Sequence, residues 1–447
     1  MSPLQAAGPG GRRPSRPWPR FLLYNLLLVV LLPVVIAYVC YRQLGGRRWR
    51  GGWRQRLGGL PPSPPGRTVI WAHAVSAGEM MALASIVREL RSLVPEAWIL
   101  VTSLTNTGQE MAHRQCSGVA DRVAYLPADF LPCAWLALRR VRPHLLVLTE
   151  TELWPNLLFL ARSRGARVVL VNGRISDRNL RRVRWLGWLY RALLGMVDRF
   201  CMQSAWYQGR VVALGAPEQA TCALGNAKLD TLLAQASPEK TQALRQVLEV
   251  GEEDPLLVAG STHPGEEAQV IAAFRLVLEQ VPGCRLILAP RHVARARELQ
   301  QALGEAGLRQ VLRSELPGPP GTARQAQVIV LDTMGELAAC FALGQAAFIG
   351  GSLVRIGGHN VLEPVAAGKP VLYGPYMHGQ PDLERAVREG GVGFMVKDST
   401  EMAGHWLRFL SSPPLQQELA QRAAAIIGQH QGAARRYAQA AWEVMGK

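Results

Sequence analysis

The 447-residue chain is 49% hydrophobic and carries 44 glycines, which is too apolar for a disordered protein and long enough for two or three domains with real cores. Its formal charge of +17 is concentrated in two places: residues 1–60 hold ten arginines and no acidic residue, and residues 162–199 hold ten more against Asp177 and Asp198. Seven scattered cysteines without a C-x-x-C pair argue for a reducing compartment and against a disulfide framework or a zinc site.

Residues 1–20, rich in Pro, Gly and Arg, are expected to form a disordered basic tail. Phe21 to Tyr41 is a 21-residue apolar run interrupted by Asn25 and Pro33, long enough for a bilayer core of ~30 Å. No small-residue cleavage site follows it, so an anchor helix over 21–42 is expected rather than a signal peptide. The arginines from Arg42 to Arg56 outnumber those from Arg12 to Arg20, which favours a cytoplasmic globular part by the positive-inside rule. An anchor lying in the membrane plane is the alternative. A basic, Pro-rich linker spans 43–66.

From there apolar strands alternate with helical segments: Val69 to His73, Ile99 to Ser103, Val123 to Pro127, Leu145 to Thr149, Val168 to Asn172 and Phe200 to Gln203. Near-continuous apolar strands in repeated βαβ units imply a parallel sheet covered on both faces. A second series runs from Leu256 to Val258, through Leu286 to Ala289, to Val328–Leu331, Ala346–Ile349 and Pro370–Tyr373, with helices from Glu401 onward. The polar segment Pro238 to Glu253 is the expected junction. The reading is two Rossmann-like domains, 67–235 and 236–447, facing each other over a cleft.

In the second basic patch Arg174, Arg178, Arg181, Arg182, Arg184 and Arg191 interleave with Trp185, Trp188, Leu189, Tyr190, Leu193 and Leu194. A basic helix carrying tryptophans suits an anionic membrane interface. No nucleic-acid motif accompanies it. The competing reading is a core-facing aromatic stripe with a solvated arginine face.

Ligands of open α/β sheets bind beyond the carboxyl ends of the strands. Ser76-Ala77-Gly78-Glu79 opens a helix there as a capping box, and a carboxylate in that place is held ionised by the helix dipole and available as a general base. Glu150 and Glu152 end another strand. Lys228 and Arg291 are cations suited to a leaving phosphate. Gly350, Gly351, Gly357 and Gly358 precede a helix whose N–H groups suit an anionic ligand, most often a nucleotide phosphate. Thr333 with Glu336 and Asn360 with Glu363 read as two further capping boxes. The pattern predicts Glu79, Glu336 and Glu363 in the first turns of helices lining one cleft. His292 and His359 have no partner at metal-ligand spacing, so no metal is expected.

Taken together, Ser76 to Glu79, Glu150-Thr151-Glu152-Leu153-Trp154-Pro155-Asn156, Asn172-Gly173-Arg174-Ile175-Ser176, Gly225-Asn226-Ala227-Lys228-Leu229-Asp230, Pro290-Arg291-His292, Asp332 to Leu337 and Gly350 to Glu363 resemble the 3-deoxy-D-manno-octulosonic acid (Kdo) transferases of lipopolysaccharide assembly, in order, from about Arg42 to the C-terminus. The resemblance implies a GT-B glycosyltransferase fold and inverting transfer of Kdo from CMP-Kdo to a lipid A precursor, lipid IVA, at the cytoplasmic face of the bacterial inner membrane. Glu79 would take the acceptor proton, and Glu150 and Lys228 would stabilise the transition state. Arg291, His292, Gly335, Glu336, Leu337, Asn360, Val361, Leu362 and Glu363 would hold the CMP, Glu363 accepting from the ribose hydroxyls. Direct displacement on this fold implies no cofactor and no metal. Two other readings are a GT-B transferase with a different nucleotide sugar and a non-catalytic binder of anionic glycolipid.

Overall fold

The computed structural model describes residues 18–44, 51–175, 177–230 and 238–446. The chain forms two compact units, residues 1–227 with 433–447, and residues 228–432.

The first unit holds a seven-stranded parallel sheet in the order β3-β2-β1-β4-β5-β6-β7. Its strands are β1 Val69–Ala74, β2 Trp98–Ser103, β3 Arg122–Tyr125, β4 Leu145–Thr149, β5 Arg167–Gly173, β6 Arg199–Met202 and β7 Thr221–Ala223. Successive side chains leave a strand on opposite faces, and the core divides accordingly: Trp71, Leu146, Leu148 and Leu170 lie in one apolar cluster, while Ile70, Ala72, Val147 and Val169 lie in the other. This is why the strands read as unbroken apolar runs in the sequence.

The second unit repeats the plan with β8 Leu256–Thr262, β9 Arg285–Pro290, β10 Gln310–Leu312, β11 Val328–Val330, β12 Ala346–Ile349, β13 Val371–Tyr373 and β14 Gly393–Met395, ordered β10-β11-β9-β8-β12-β13-β14. In both sheets the strand order reverses direction at one place, between β1 and β4 and between β8 and β12. Loops leaving the carboxyl ends of those four strands diverge there, which makes the two switch points the natural ligand sites.

Two features depart from the expected domain layout. The helix Pro238–Val247 is no linker, because Leu244 and the following Leu248 and Val250 enter the second unit's core; the division falls at Ala227/Lys228. The last helix, Ala433–Glu443, returns to the first unit, where its alanine face and Tyr437 cover one side of the sheet. There the single Tyr437 hydroxyl proton is shared between the carbonyls of Gly225 at 2.5 Å and Met202 at 3.1 Å. Small side chains let this helix lie close to the strands, and the shared bond fixes its rotation.

The apolar run near the N-terminus lies within a helix, Trp18–Leu44. Its first half docks on the first unit. Phe21 stacks on Phe159 with ring centroids 4.4 Å apart, Tyr24 donates to Asp129 Oδ2 at 3.0 Å, and Asn25 exchanges amide bonds with Asn156 at 2.8 and 3.0 Å. The interruption at Asn25 is therefore the docking residue. Leu22, Leu23, Leu26, Leu27, Val29, Val30 and Leu31 face outward. Among the described residues no helix is long and apolar enough to cross a membrane.

Candidate active site

In the first unit β1 runs into Val75 and Ser76, and Ser76 caps the helix Ala77–Leu93. The Ser76 hydroxyl accepts from the Glu79 backbone N–H at 3.4 Å and donates to Glu79 Oε1 at 3.0 Å, while Glu79 Oε2 accepts from the Val75 backbone N–H at 2.8 Å. The returning bond thus reaches one residue further back than in the usual box. It holds the carboxylate over the end of β1, in the first turn of the helix, with the dipole favouring its ionised form.

Glu150 follows β4 in a left-handed backbone conformation, φ 55°, and its N–H bonds to the Val171 carbonyl at 3.1 Å. A non-glycine residue at positive φ is strained, a condition that clusters at functional sites. Two residues on, Glu152 is pushed up to about 7 by burial and by the charges of Glu79 and Glu150. Glu152 in turn helps raise the Tyr190 phenol to about 12, behind the larger effect of burial. Three carboxylates therefore converge at the β1/β4 switch point, and one of them is held largely neutral at lower pH. In the sequence Glu150 and Glu152 stand two apart on one side of a strand end, which suits one of them to orient by accepting bonds and the other to face the cleft without saying which does which.

The Asn172 motif ends β5, the strand paired with β4. Asn172 sits at φ 51°, its Oδ1 accepts from the Ala227 backbone N–H at 3.2 Å, and its carbonyl accepts from Gln203. Lys228 follows directly and belongs to the second unit. Arg174 donates to the buried Tyr207 hydroxyl at 3.1 Å. In the helix Asp177–Leu194, Leu189, Leu193 and Leu194 are buried and Trp188 is 37% exposed. The side chains of Arg178, Arg182, Arg184 and Trp185 lie outside the described residues.

In the second unit the glycine loop after β12 meets an internal partner. Glu266, fully buried, accepts from the backbone N–H of His263 at 2.8 Å, Gly351 at 2.6 Å, Ser352 at 3.3 Å and Leu353 at 3.2 Å. A Cβ at Gly350 would lie 2.4 Å from the Ser261 carbonyl oxygen and 2.6 Å from Glu266 Oε1, so glycine is required there by close approach. The amides expected to cradle a ligand anion are occupied by the protein's own carboxylate. The next helix, Leu362–Ala366, likewise spends its Leu362 N–H on Asn360 Oδ1 at 3.1 Å.

The positive character at this switch point comes instead from side chains. Arg291 and His292, after β9, are exposed, and the Arg291 guanidinium makes no hydrogen bond among the described residues. His263, after β8, stacks on His359, with ring planes 6° apart, and meets His292 edge-on at 6.0 Å between centroids. Burial, with His263, Arg291 and His292 adding to it, pulls His359 down to about 4. Burial also raises Glu363 to about 7, against the opposing effects of Arg291 and Asn360. Sequence reasoning missed His263 and Glu266; the Thr-His-Pro-Gly-Glu stretch at the end of β8 was the available signal. Val361 and Leu362 are core residues, so their side chains do not face a ligand. Among the described residues no three His, Cys, Asp or Glu side chains are placed to hold a metal.

Glu336 departs from expectation. It is the residue before the helix Leu337–Leu343, not a member of its first turn. Its carboxylate is taken by the Thr333 hydroxyl and by Arg313 Nη2 at 2.7 Å. Gly335, Glu336 and Arg313 line a cavity of about 310 Å³ with Lys240 and Leu244. Of the three glutamates read as capping residues, Glu79 and Glu363 stand in first turns and Glu336 at the cap.

Residues 51–231 match the family described as 3-deoxy-D-manno-octulosonic-acid transferase (kdotransferase). The 3-deoxy-D-manno-octulosonic acid transferase of Bordetella pertussis is 32% identical over 438 residues, which cover 95% of this chain and 99% of that one. The chain belongs to the Kdo transferase family. It is a glycosyltransferase, and Kdo transfer is the activity of the family that it matches. A bifunctional glycosyltransferase/methyltransferase of Fusobacterium nucleatum is also 32% identical, over 85% of this chain; the chain spans 57% of that longer protein. A UDP-GlcNAc 2-epimerase from Neisseria meningitidis has TM-score 0.60 at 13% identity, covering 84% of this chain and all of that one, and a glycosyltransferase from Rickettsia africae has 0.57 at 10%, covering 85% and 99%. These likenesses establish the GT-B fold for this Kdo transferase.

Proposed function

We propose that this Kdo transferase moves Kdo from CMP-Kdo to a lipid A precursor such as lipid IVA by direct, inverting displacement, without a cofactor or metal, with Glu79 as the general base. The observation that carries this reading is the Glu79 carboxylate, fixed over the end of β1 by Ser76 and the Val75 N–H and ringed by Glu150 and Glu152. As the acceptor oxygen attacks the anomeric carbon, Glu79 takes its proton. In the second unit, Arg291 with the His263, His292 and His359 imidazoles supplies the cationic and donor groups that an anionic leaving CMP requires. Glu150 and Lys228 are assigned to transition-state stabilisation. Gly335, Glu336 and Leu337, with Asn360 and Glu363, are assigned to the nucleotide.

The outward-facing leucines and valines of helix Trp18–Leu44 and the arginine and tryptophan patch 174–188 support attachment to an anionic bacterial inner membrane, with both units on the cytoplasmic side. The deciding experiment is Glu79→Gln in a membrane assay with CMP-Kdo and lipid IVA. Transfer is expected to fall by about 10²–10⁴-fold with CMP binding unchanged; full turnover by the variant would remove Glu79 from the role.

A further inference from the structure

Cys201 on β6 and Cys222 on β7 are register partners in adjacent parallel strands. Their Sγ atoms stand 3.7 Å apart. Paired strands separate their Cα atoms by about 4.8 Å, inside the range a disulfide spans, and register partners project to the same face. That face is the one covered by the helix Ala433–Glu443. Cys201 is fully buried, whereas Cys222, on the edge strand, is half-buried and reachable from solvent. Arg199, two residues before Cys201 and so on the same face, lies 3.9 Å from Glu443 and near enough to both sulfurs for its charge to act on them. The Cys201 thiol and the Arg199 guanidinium hold the Cys222 thiol below its ordinary range. A half-buried thiol near a cation, with a second, buried thiol in van der Waals contact, has the composition of an attacking and resolving pair.

We propose that Cys201 and Cys222 form a reversible disulfide when the protein meets a peroxide. The Cys222 thiolate attacks one peroxide oxygen, the O–O bond breaks, and hydroxide leaves and is protonated to water; Cys222 becomes a sulfenic acid. The Cys201 sulfur then attacks the Cys222 sulfur. The S–S bond forms, the S–O bond breaks, and hydroxide departs with the Cys201 proton as a second water. Two thiols lose two electrons to one peroxide, and a dithiol reductant reverses the step. The bond staples edge strand β7 to β6, just ahead of the turn that leads to Lys228.

The test uses the full-length protein, treated with hydrogen peroxide and mapped by mass spectrometry without reduction. A peptide pair joined through Cys201 and Cys222, lighter by two hydrogens and released by dithiothreitol, is expected. In Cys201→Ser, dimedone should label Cys222 on the order of ten-fold faster than Cys133, a half-buried thiol pushed up by burial. Failure of the joined pair to appear in the unsubstituted protein overturns the proposal whatever the variant does. Labelling of Cys222 no faster than Cys133 overturns the assignment of Cys222 as the attacking sulfur.

Discussion

His263 Nε2 lies 2.7 Å from His359 Nε2, close enough that one nitrogen must donate and the other accept. Each imidazole is held below its ordinary range, His263 by burial with His292 and Arg291 adding to it, His359 by burial with its neighbours adding. An anion bound beside them favours the protonated pair. Donor binding should therefore take up on the order of one proton and tighten by up to about tenfold per pH unit as pH falls from 7.5 toward 6. Calorimetry of CMP binding in buffers of different ionisation enthalpy measures this directly; a buffer-independent heat would assign the anion to Arg291 alone.

The same shift has a consequence for stability. His359 in the fold titrates near 4 against an ordinary 6.5, so the unfolded chain binds the extra proton first. Its contribution is fully present above about 6.5 and is lost as pH falls toward 4. His73, wholly buried and also held to about 4, acts in the same direction. His359→Gln should flatten the acid side of a denaturation midpoint against pH curve, and only part of the slope should disappear.

Glu152 behaves in the opposite sense. Its acid is raised to about 7 from an ordinary 4.5, so it stabilises the fold at low pH and loses that contribution as pH rises through 7. Glu152→Gln should stabilise the protein by on the order of 2 kcal/mol at pH 8 and by nothing measurable at pH 4. Transfer should fall in the same variant, because Glu152 belongs to the carboxylate cluster that surrounds Glu79. Urea titrations at both pH values, paired with transfer rates, check the two halves.

Glu266→Gln keeps the size of the side chain but replaces one acceptor oxygen by an NH₂ that faces backbone N–H groups. With up to four charged hydrogen bonds compromised in a buried site, the second unit should lose about 2–4 kcal/mol. Amide exchange in 350–360 should rise before global unfolding, and CMP affinity should drop because His359 follows this loop.

Asn25→Leu leaves the buried Asn156 amide without its reciprocal partner. We expect a cost of about 1–3 kcal/mol expressed as local release, with faster hydrogen exchange in residues 18–33 and unchanged exchange in β1 and β4.

Much of this architecture was readable from residue order. The central strands of both sheets announced themselves because burial on both faces removes alternation and leaves unbroken apolar runs. β7, β10 and β14 did not, each being a three-residue element of mixed polarity whose pairing is decided by tertiary contacts. Local capping chemistry located Glu79, three residues after its N-cap Ser76; Glu363 also lies in a first turn, but the cap there is Val361 and not Asn360. The same chemistry misplaced Glu336, whose carboxylate answers to Arg313, 23 residues earlier. The glycine loop showed that backbone had to pass close to something; that the something is Glu266, 85 residues away, is a pairing that no local pattern contains. The destination of the last helix was likewise hidden, because an alanine-rich amphipathic stretch fits any sheet face.

That return of Ala433–Glu443 to the first sheet has a consequence for the order of synthesis. Residues up to Ala227 leave the ribosome with β5 and β6 still bare on the face that helix Ala433–Glu443 covers beside helix Ala77–Leu93, and that covering helix follows the whole of the second unit. The first unit must wait through the folding of the second before Tyr437 can reach the Met202 and Gly225 carbonyls. Translation halted a few residues short would leave the unit that finished first in sequence as the one unfinished in structure.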